Sequence, residues 1–277
     1  MSSRITVLCE NTVGSLAGTM GEHGFSVLIE PSEGSSLLFD TGQGLTLLHN
    51  AGRMNKDLSR VRKVVISHGH YDHAGGLLPL LRESGPLQVY GHPGIFNPRY
   101  RVKDTGESYP IGMPHSREEL AAAGASFELS KEFREIAPGI HLTGEVPRVT
   151  GFETGDQGLY CDCSGQEPDK TPDDQSLVIE AEKGLVIILG CCHAGLINTL
   201  EHVARVTGRR DIYAVIGGTH LGFCDQNQID KTVAAVRMMG IKKLAAGHCT
   251  GFVASARLYR ELPKEFQVAM VGYTLEV

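Results

Sequence analysis

Three histidines and an aspartate crowd into six consecutive positions, His68 to His73, within Ser67-His68-Gly69-His70-Tyr71-Asp72-His73-Ala74-Gly75-Gly76. Imidazole nitrogens and carboxylate oxygens are lone-pair donors for divalent cations, and zinc, iron and manganese all accept this mixture. His68 and His70, two apart in an extended segment, project to one side and can grip one ion. Asp72 and His73, past a turn, face a second position beside the first. The run follows the apolar Val64-Val65-Ile66, so the donors leave the end of a buried strand, and Gly75-Gly76 lets the backbone turn into a helix.

Three other strand ends also deliver a histidine. Leu185 to Leu189 runs into Gly190-Cys191-Cys192-His193-Ala194-Gly195, Ile212 to Ile216 into Gly217-Gly218-Thr219-His220-Leu221, and Lys243 to Ala246 into Gly247-His248-Cys249-Thr250-Gly251. Earlier, Ser36 to Phe39 ends in Asp40-Thr41-Gly42. Loops at strand ends escape the ladder's constraints while the sheet fixes where they begin, so these groups can converge on one site. His23, His49, His92, His115, His141 and His202 lack that setting and read as ordinary core or surface residues.

The elements that must position these groups alternate. Strands are expected at Ile5 to Cys9, Phe25 to Glu30 and Val64 to Ser67, with helices at Leu45 to Asn50 and Gly76 to Glu83. Gln88 to Gly91 returns as a strand. Ser116 with Glu119 three residues on is a capping-box signature for a helix to about Ala123. Phe127 to Leu129 and Ile140 to Thr143 are strands, Ser176 to Glu180 pairs with Leu185 to Leu189, and Leu196 to Val206 and Gln228 to Met239 are helices. A helix from Ser255 to Arg260 and one strand from Val268 to Val277 finish an α/β chain, read as a single domain over 1–277. Two stretches, about 92–115 and 144–174, are irregular. The second carries Cys161-Asp162-Cys163, a weak metal signal, and Arg148, a candidate substrate clamp for a phosphate or carboxylate.

A chain of 277 residues, 41% hydrophobic and 21% charged, has the balance of a water-soluble globular protein. No apolar run is long enough to span a bilayer, and Met1-Ser2-Ser3-Arg4-Ile5 lacks a signal-peptide core, so a cytoplasmic location is expected. The net charge of −6 gives no basic footprint for nucleic acid. Seven cysteines, an odd number, point to thiols rather than a disulfide framework.

With His68, His70, Asp72 and His73 meeting His-x-His-x-Asp-His in full, and with Leu38-Phe39-Asp40-Thr41-Gly42 and Gly247-His248 in place, the chain resembles the metallo-β-lactamase fold superfamily over essentially its whole length. The resemblance implies a four-layer αβ/βα sandwich with a dinuclear site between the sheets. It places His68, His70 and His193 around one metal, and Asp72, His73 and His248 around the other. Zinc is the expected ion, with iron or manganese as alternatives. Asp40 would orient the metal loop from behind, and His220 would contact substrate or donate a proton, alongside Asp72 as a catalytic group.

The middle of the chain departs from the commonest members. Cys191 falls where an aspartate bridging the two metals is usual, and Thr171-Pro172-Asp173-Asp174-Gln175-Ser176 stands where a Gly-His loop is usual. Gly-Cys-Cys-His-Ala-Gly, Gly-Gly-Thr-His-Leu and Gly-His-Cys-Thr-Gly are similar to the subfamily that includes the dihydropterin ribofuranosylaminobenzene phosphate synthases and bacterial metal-dependent hydrolases. The expected activity is hydrolysis of an anionic small molecule of ester or phosphoester type, through a metal-bound hydroxide or a metal-stabilised leaving group. One alternative is a synthase-like condensation releasing diphosphate. Others are redox chemistry at iron and a non-catalytic metal or thiol sensor using Cys191, Cys192 and Cys249. A homo-oligomer is compatible with each.

Overall fold

The structure is a computed structural model that describes residues 3–277; Met1 and Ser2 lie outside the described residues. Two seven-stranded sheets dominate it. In spatial order the first comprises Thr274–Glu276, Ser3–Cys9, Ser26–Pro31, Ser36–Phe39, Val61–Val65, Leu87–Gly91 and Ala125–Leu129. The second comprises Phe266–Val268, Lys243–Gly247, Ile212–Gly218, Gly184–Leu189, Leu177–Ala181, Ile140–Leu142 and Arg134–Ala137. In each sheet one half is antiparallel, built from hairpins, and the other half parallel. The parallel strands are joined through helices, as crossover geometry requires.

Alternation along the strands sorts the core into three layers. Val27, Ile29, Phe39 and Val65 of the first sheet meet Val186, Ile188 and Ile216 of the second in one inner cluster. Their neighbours Leu28, Leu38 and Val64 point the other way, onto the helices Leu47–Arg53, Leu77–Ser84 and Arg117–Ala122. Ile187 and Val215 likewise face the helices Leu196–Thr207, Gln226–Met239 and Gly251–Glu261. Helices, sheet, sheet and helices therefore form the αβ/βα sandwich, and burial of each such aliphatic side chain contributes about 1.5–3 kcal/mol. No helix of the described residues is long and apolar enough to cross a membrane.

Four elements differ from the expectations, the first being the strand Arg134–Ala137, which was not expected. The C-terminal strand is two strands: Phe266–Val268 borders the second sheet and Thr274–Glu276 the first, with Gly272 at φ 89° between them. The chain already turns helical at Tyr71–Ala74, so Asp72 and His73 lie inside that turn, ahead of the Leu77–Ser84 helix. Finally, the two irregular stretches pair with one another. Tyr100–Val102 and Ser108–Pro110 from the first join Leu159–Tyr160 from the second in a small three-stranded sheet. Short strands with little apolar alternation give no sequence signal of their own.

Candidate metal centre

The His-x-His run leaves Val61–Val65 at the middle of the first sheet and meets the ends of Gly184–Leu189, Ile212–Gly218 and Lys243–Gly247 from the second. Asp40, after Ser36–Phe39, and His220 and His248, after Ile212–Gly218 and Lys243–Gly247, have φ near +55°, at 57°, 54° and 51°. Cys192 does the same at 62°. Non-glycine residues rarely adopt this left-handed conformation, and its recurrence around one point marks a place where geometry was held against local preference. Gly69, between the first two histidines, packs so closely on the Ile95 carbonyl that a Cβ there would collide with its oxygen.

Ring nitrogens converge in two groups. His68 Nε2 lies 2.9 Å from His70 Nδ1 and 3.3 Å from His193 Nε2. Beside them, His73 Nε2 lies 3.2 Å from His248 Nε2 and 3.7 Å from Asp72 Oδ2, and His248 Nε2 lies 3.2 Å from that same oxygen. Cys191 Sγ is 3.1 Å from His73 Nε2, between the groups. All six of the histidine and aspartate donors are buried. Buried lone-pair atoms facing one another at these distances are costly without a shared proton or a cation, and the two groups fit a divalent ion each.

Electrostatics agree with that fit. Burial, reinforced by the neighbouring imidazoles, pushes His68 and His70 well below the ordinary histidine value, so both are neutral and their lone pairs are free. His73 goes the other way: burial opposes it, but Asp40 and Asp72 hold it up at about 9. The same negative potential that favours an imidazolium there favours a bound cation. Burial pushes the Cys191 thiol well up.

Carboxylates brace the donors from behind. Asp40 accepts from the Ser67 backbone amide at 2.7 Å and the Ser67 hydroxyl at 2.8 Å, and its Oδ2 lies 2.7 Å from His73 Nδ1. Asp173 accepts from the Gly69 amide at 2.9 Å, and Asp174 accepts from the His193 amide. The Thr171 to Ser176 segment thus supplies two carboxyl groups that pin the histidine loops. Arg99, itself buried, bridges Asp173 at 2.6 Å and Asp169 at 2.9 Å. Glu10 accepts from the His248 amide. Burial raises the Asp174 carboxyl to about 8.

His70, Asp72, His193 and His248 from the two groups, with Cys191, line a cavity of about 660 Å³ whose walls include Tyr71, Ile111, Phe152, Asp156, His220 and Phe223. Asp156 stands 2.5 Å from both His193 Nδ1 and His220 Nδ1, one oxygen to each ring. Burial alone would lower His220, but Asp156 and its other charged neighbours hold the imidazole above its usual value. Arg101 is the cation in the cavity wall.

Of the residues singled out in the sequence, His68, His70, Asp72, His73, His193 and His248 are brought together, with Asp40 and Cys191 in contact and His220 in the wall. Arg148 is not brought to the centre. It is exposed, and its guanidinium donates to the Lys170 carbonyl at 3.1 Å. Asp156 and Asn11 were not singled out, and His23, expected to be an ordinary core or surface residue, instead lines the cavity. Asp156 lies in the glycine-rich stretch Gly155-Asp156-Gln157-Gly158, which has no pattern to distinguish it. Glu10-Asn11 follows a buried strand, as Asp40 does, and that position was the available signal.

The chain is similar to known proteins over nearly its whole length. The 7,8-dihydropterin-6-methyl-4-(β-D-ribofuranosyl)-aminobenzene-5'-phosphate synthase of Methanocaldococcus jannaschii is 30% identical over 278 aligned residues, covering 97% of this chain and 95% of that one. The crystal structure of a metal-dependent hydrolase of the beta-lactamase superfamily shares 31% identity, covers 99% of each chain and superposes with a TM-score of 0.84. Zinc-bound PqqB from Methylobacterium extorquens, 17% identical with a TM-score of 0.60 over 99% of this chain and 100% of that one, shares the fold. The family profile for the metallo-beta-lactamase superfamily matches residues 20–214. On these grounds the chain belongs to the metallo-beta-lactamase superfamily of enzymes.

Proposed function

We propose that the chain, as one domain, is a metal-dependent hydrolase of a small anionic ester or phosphoester. The observation that carries this reading is the pair of buried donor groups, His68, His70 and His193 beside Asp72, His73 and His248, with four of the six residues lining the cavity. Each group would hold a divalent cation, zinc being the first expectation for nitrogen donors with a nearby thiol and iron or manganese the alternatives. Such ions supply a nucleophile from water at neutral pH and polarise the electrophilic oxygen.

The protein's own part is orientation. Asp40 and Asp156 each engage the Nδ1 atom of a ligand ring and so turn its Nε2 towards the centre. Asp72 orients the bound species from the second group. His220, kept from drifting by Asp156, would deliver a proton to the leaving group. Tyr71, Ile111, Phe152 and Phe223 shape the wall, and Arg101 offers a positive charge to an anionic substrate.

A second reading is a condensation that releases diphosphate, favoured by the whole-length likeness to the archaeal synthase. One experiment separates the two. Metal analysis of the purified protein is combined with a panel of esters, thioesters and phosphoesters, and with a pterin diphosphate in the presence and absence of an aminobenzene riboside phosphate. Hydrolysis of a panel member that stops when metal is stripped supports the first reading. Diphosphate that appears only with both co-substrates favours the second, and activity retained in a metal-free His68→Ala protein would sink both.

A further inference from the structure

One short segment presents a series of side chains to the cavity. Beyond the end of Ile212–Gly218 it carries His220, Phe223 and Asp225, and it enters the helix Gln226–Met239 with Gln228. Its backbone is braced. Gly222 packs so closely on the Cys249 carbonyl that a Cβ there would collide with it. The Asp225 carboxylate accepts from the Gln228 backbone N–H at 2.8 Å and so caps the helix.

Gln228 is the residue that the metal centre leaves unexplained. It is only 8% exposed and it lines the cavity. Among the described residues its carboxamide has no hydrogen-bond partner, since the bond to Asp225 uses the backbone N–H. Buried polar side chains are normally paired, and one that faces a ligand cavity unpaired is placed to orient what enters.

The chemistry of the group narrows its partner. A carboxamide offers an acceptor oxygen beside a donor nitrogen in one plane, and a lactam edge, with N–H next to C=O, satisfies both at once. An anionic group is disfavoured at this wall because the Asp225 carboxylate lines it too, whereas Arg101 serves an anion from the small sheet. Phe223 is 68% exposed, with its ring centroid 4.7 Å from that of His220, and so offers an aromatic face for a flat ring to stack on.

We propose that this wall binds a flat ring carrying a lactam edge, stacked on Phe223 and read by the Gln228 carboxamide, so that Gln228 is a specificity-determining residue. This rests on the hydrolytic reading of the centre, in which His220 faces the leaving group. Because Phe223 and Gln228 follow His220 on the same segment, the ring is the substrate's leaving group. The anionic part of the substrate lies towards Arg101.

The test uses two nearly isosteric rings. In 7-hydroxy-2-quinolone the lactam N–H and C=O are adjacent, and in 7-hydroxycoumarin a ring oxygen replaces the N–H. The chain has no tryptophan, so the fluorescence of either ring is read without indole background. Titrated with the metal-loaded wild type, the quinolone should bind at least about tenfold more tightly than the coumarin, which leaves part of the amide unpaired. Gln228→Met should bring the two within about twofold by weakening the quinolone alone. Phe223→Ala should weaken both rings and leave their ratio unchanged. Equal affinities in the wild type, a preference that survives in Gln228→Met, or failure of both rings to bind at millimolar concentration overturns the proposal. The first of these comparisons needs no variant, so a folding defect cannot obscure it.

The acetate ester and phosphate monoester of each ring separate this inference from the reading beneath it. A kcat/KM at least about tenfold higher for the quinolone esters is expected. Turnover of both rings with equal kcat/KM keeps hydrolysis and overturns the lactam site. Selective binding of the free quinolone by a protein that hydrolyses none of these esters supports the lactam site while the hydrolytic reading fails.

Discussion

Asp40 Oδ2 lies 2.7 Å from His73 Nδ1, and the same buried carboxylate holds both the amide and the hydroxyl of Ser67. The residue before the histidine run and its last histidine are thus fixed to one point at the end of Ser36–Phe39. Replacing Asp40 by alanine leaves those donors without an acceptor. Metal affinity should fall about 10–100-fold, as is usual when a partner behind a ligand is lost. Competition against a chromophoric chelator measures it, and an affinity within about threefold of the parent would refute the bracing role.

Arg99 is bonded to Asp169 and Asp173 with all three side chains buried. Arg99→Met leaves two uncompensated carboxylates, and breaking a buried pair in this way costs about 3–5 kcal/mol. Urea unfolding should show a midpoint lowered in proportion, with the slope unchanged. A midpoint shift smaller than that expected for about 1 kcal/mol would mean that water already solvates the network.

Metal binding itself should stabilise the fold, since the two groups draw donors from strands of both sheets. Binding to the folded chain alone adds about 2.7 kcal/mol when free metal is 100 times its dissociation constant. Thermal unfolding before and after exhaustive chelation reads this directly. Equal Tm values would contradict two ions held between the sheets.

His202 offers a pH-dependent contribution away from the centre. Its Nε2 lies 2.9 Å from the Thr143 carbonyl, at the start of the long loop, and its Nδ1 lies 2.8 Å from Arg205 Nη2. The carbonyl needs an N–H and the guanidinium needs a lone pair, which the neutral ring provides. Burial, followed by the Arg205 charge, keeps its pKa below the usual 6.5. As pH falls through about 6.5 the unfolded chain binds a proton that the folded chain refuses, so stability falls until the lowered folded value is passed. The urea midpoint should drop less between pH 7.5 and 5.5 in His202→Gln than in the wild type. An identical drop in both would remove His202 from the account.

The convergence of the histidine run was legible because its pattern is local: residue types, spacing and a preceding apolar strand occur within ten positions. The strand-end histidines were legible for a related reason, since a buried strand followed by glycine and histidine needs no knowledge of its partner. Asp156 and Asn11 were not, because their roles exist only across distance. Asp156 meets His193 from 37 positions away, and Asn11 meets His248 from 237. Arg148 shows the opposite failure: its type suited an anionic substrate, but nothing in its surroundings could say which way the loop would turn it.

The small sheet that joins Tyr100–Val102 to Leu159–Tyr160 binds the two irregular stretches into one roof, with Asp156 three residues from its last strand. Swapping either stretch to change what the cavity admits would therefore disturb the partner stretch as well, and with it the carboxylate shared by His193 and His220. Redesign of specificity in this scaffold is constrained to exchange both stretches as a matched pair while keeping that aspartate in register.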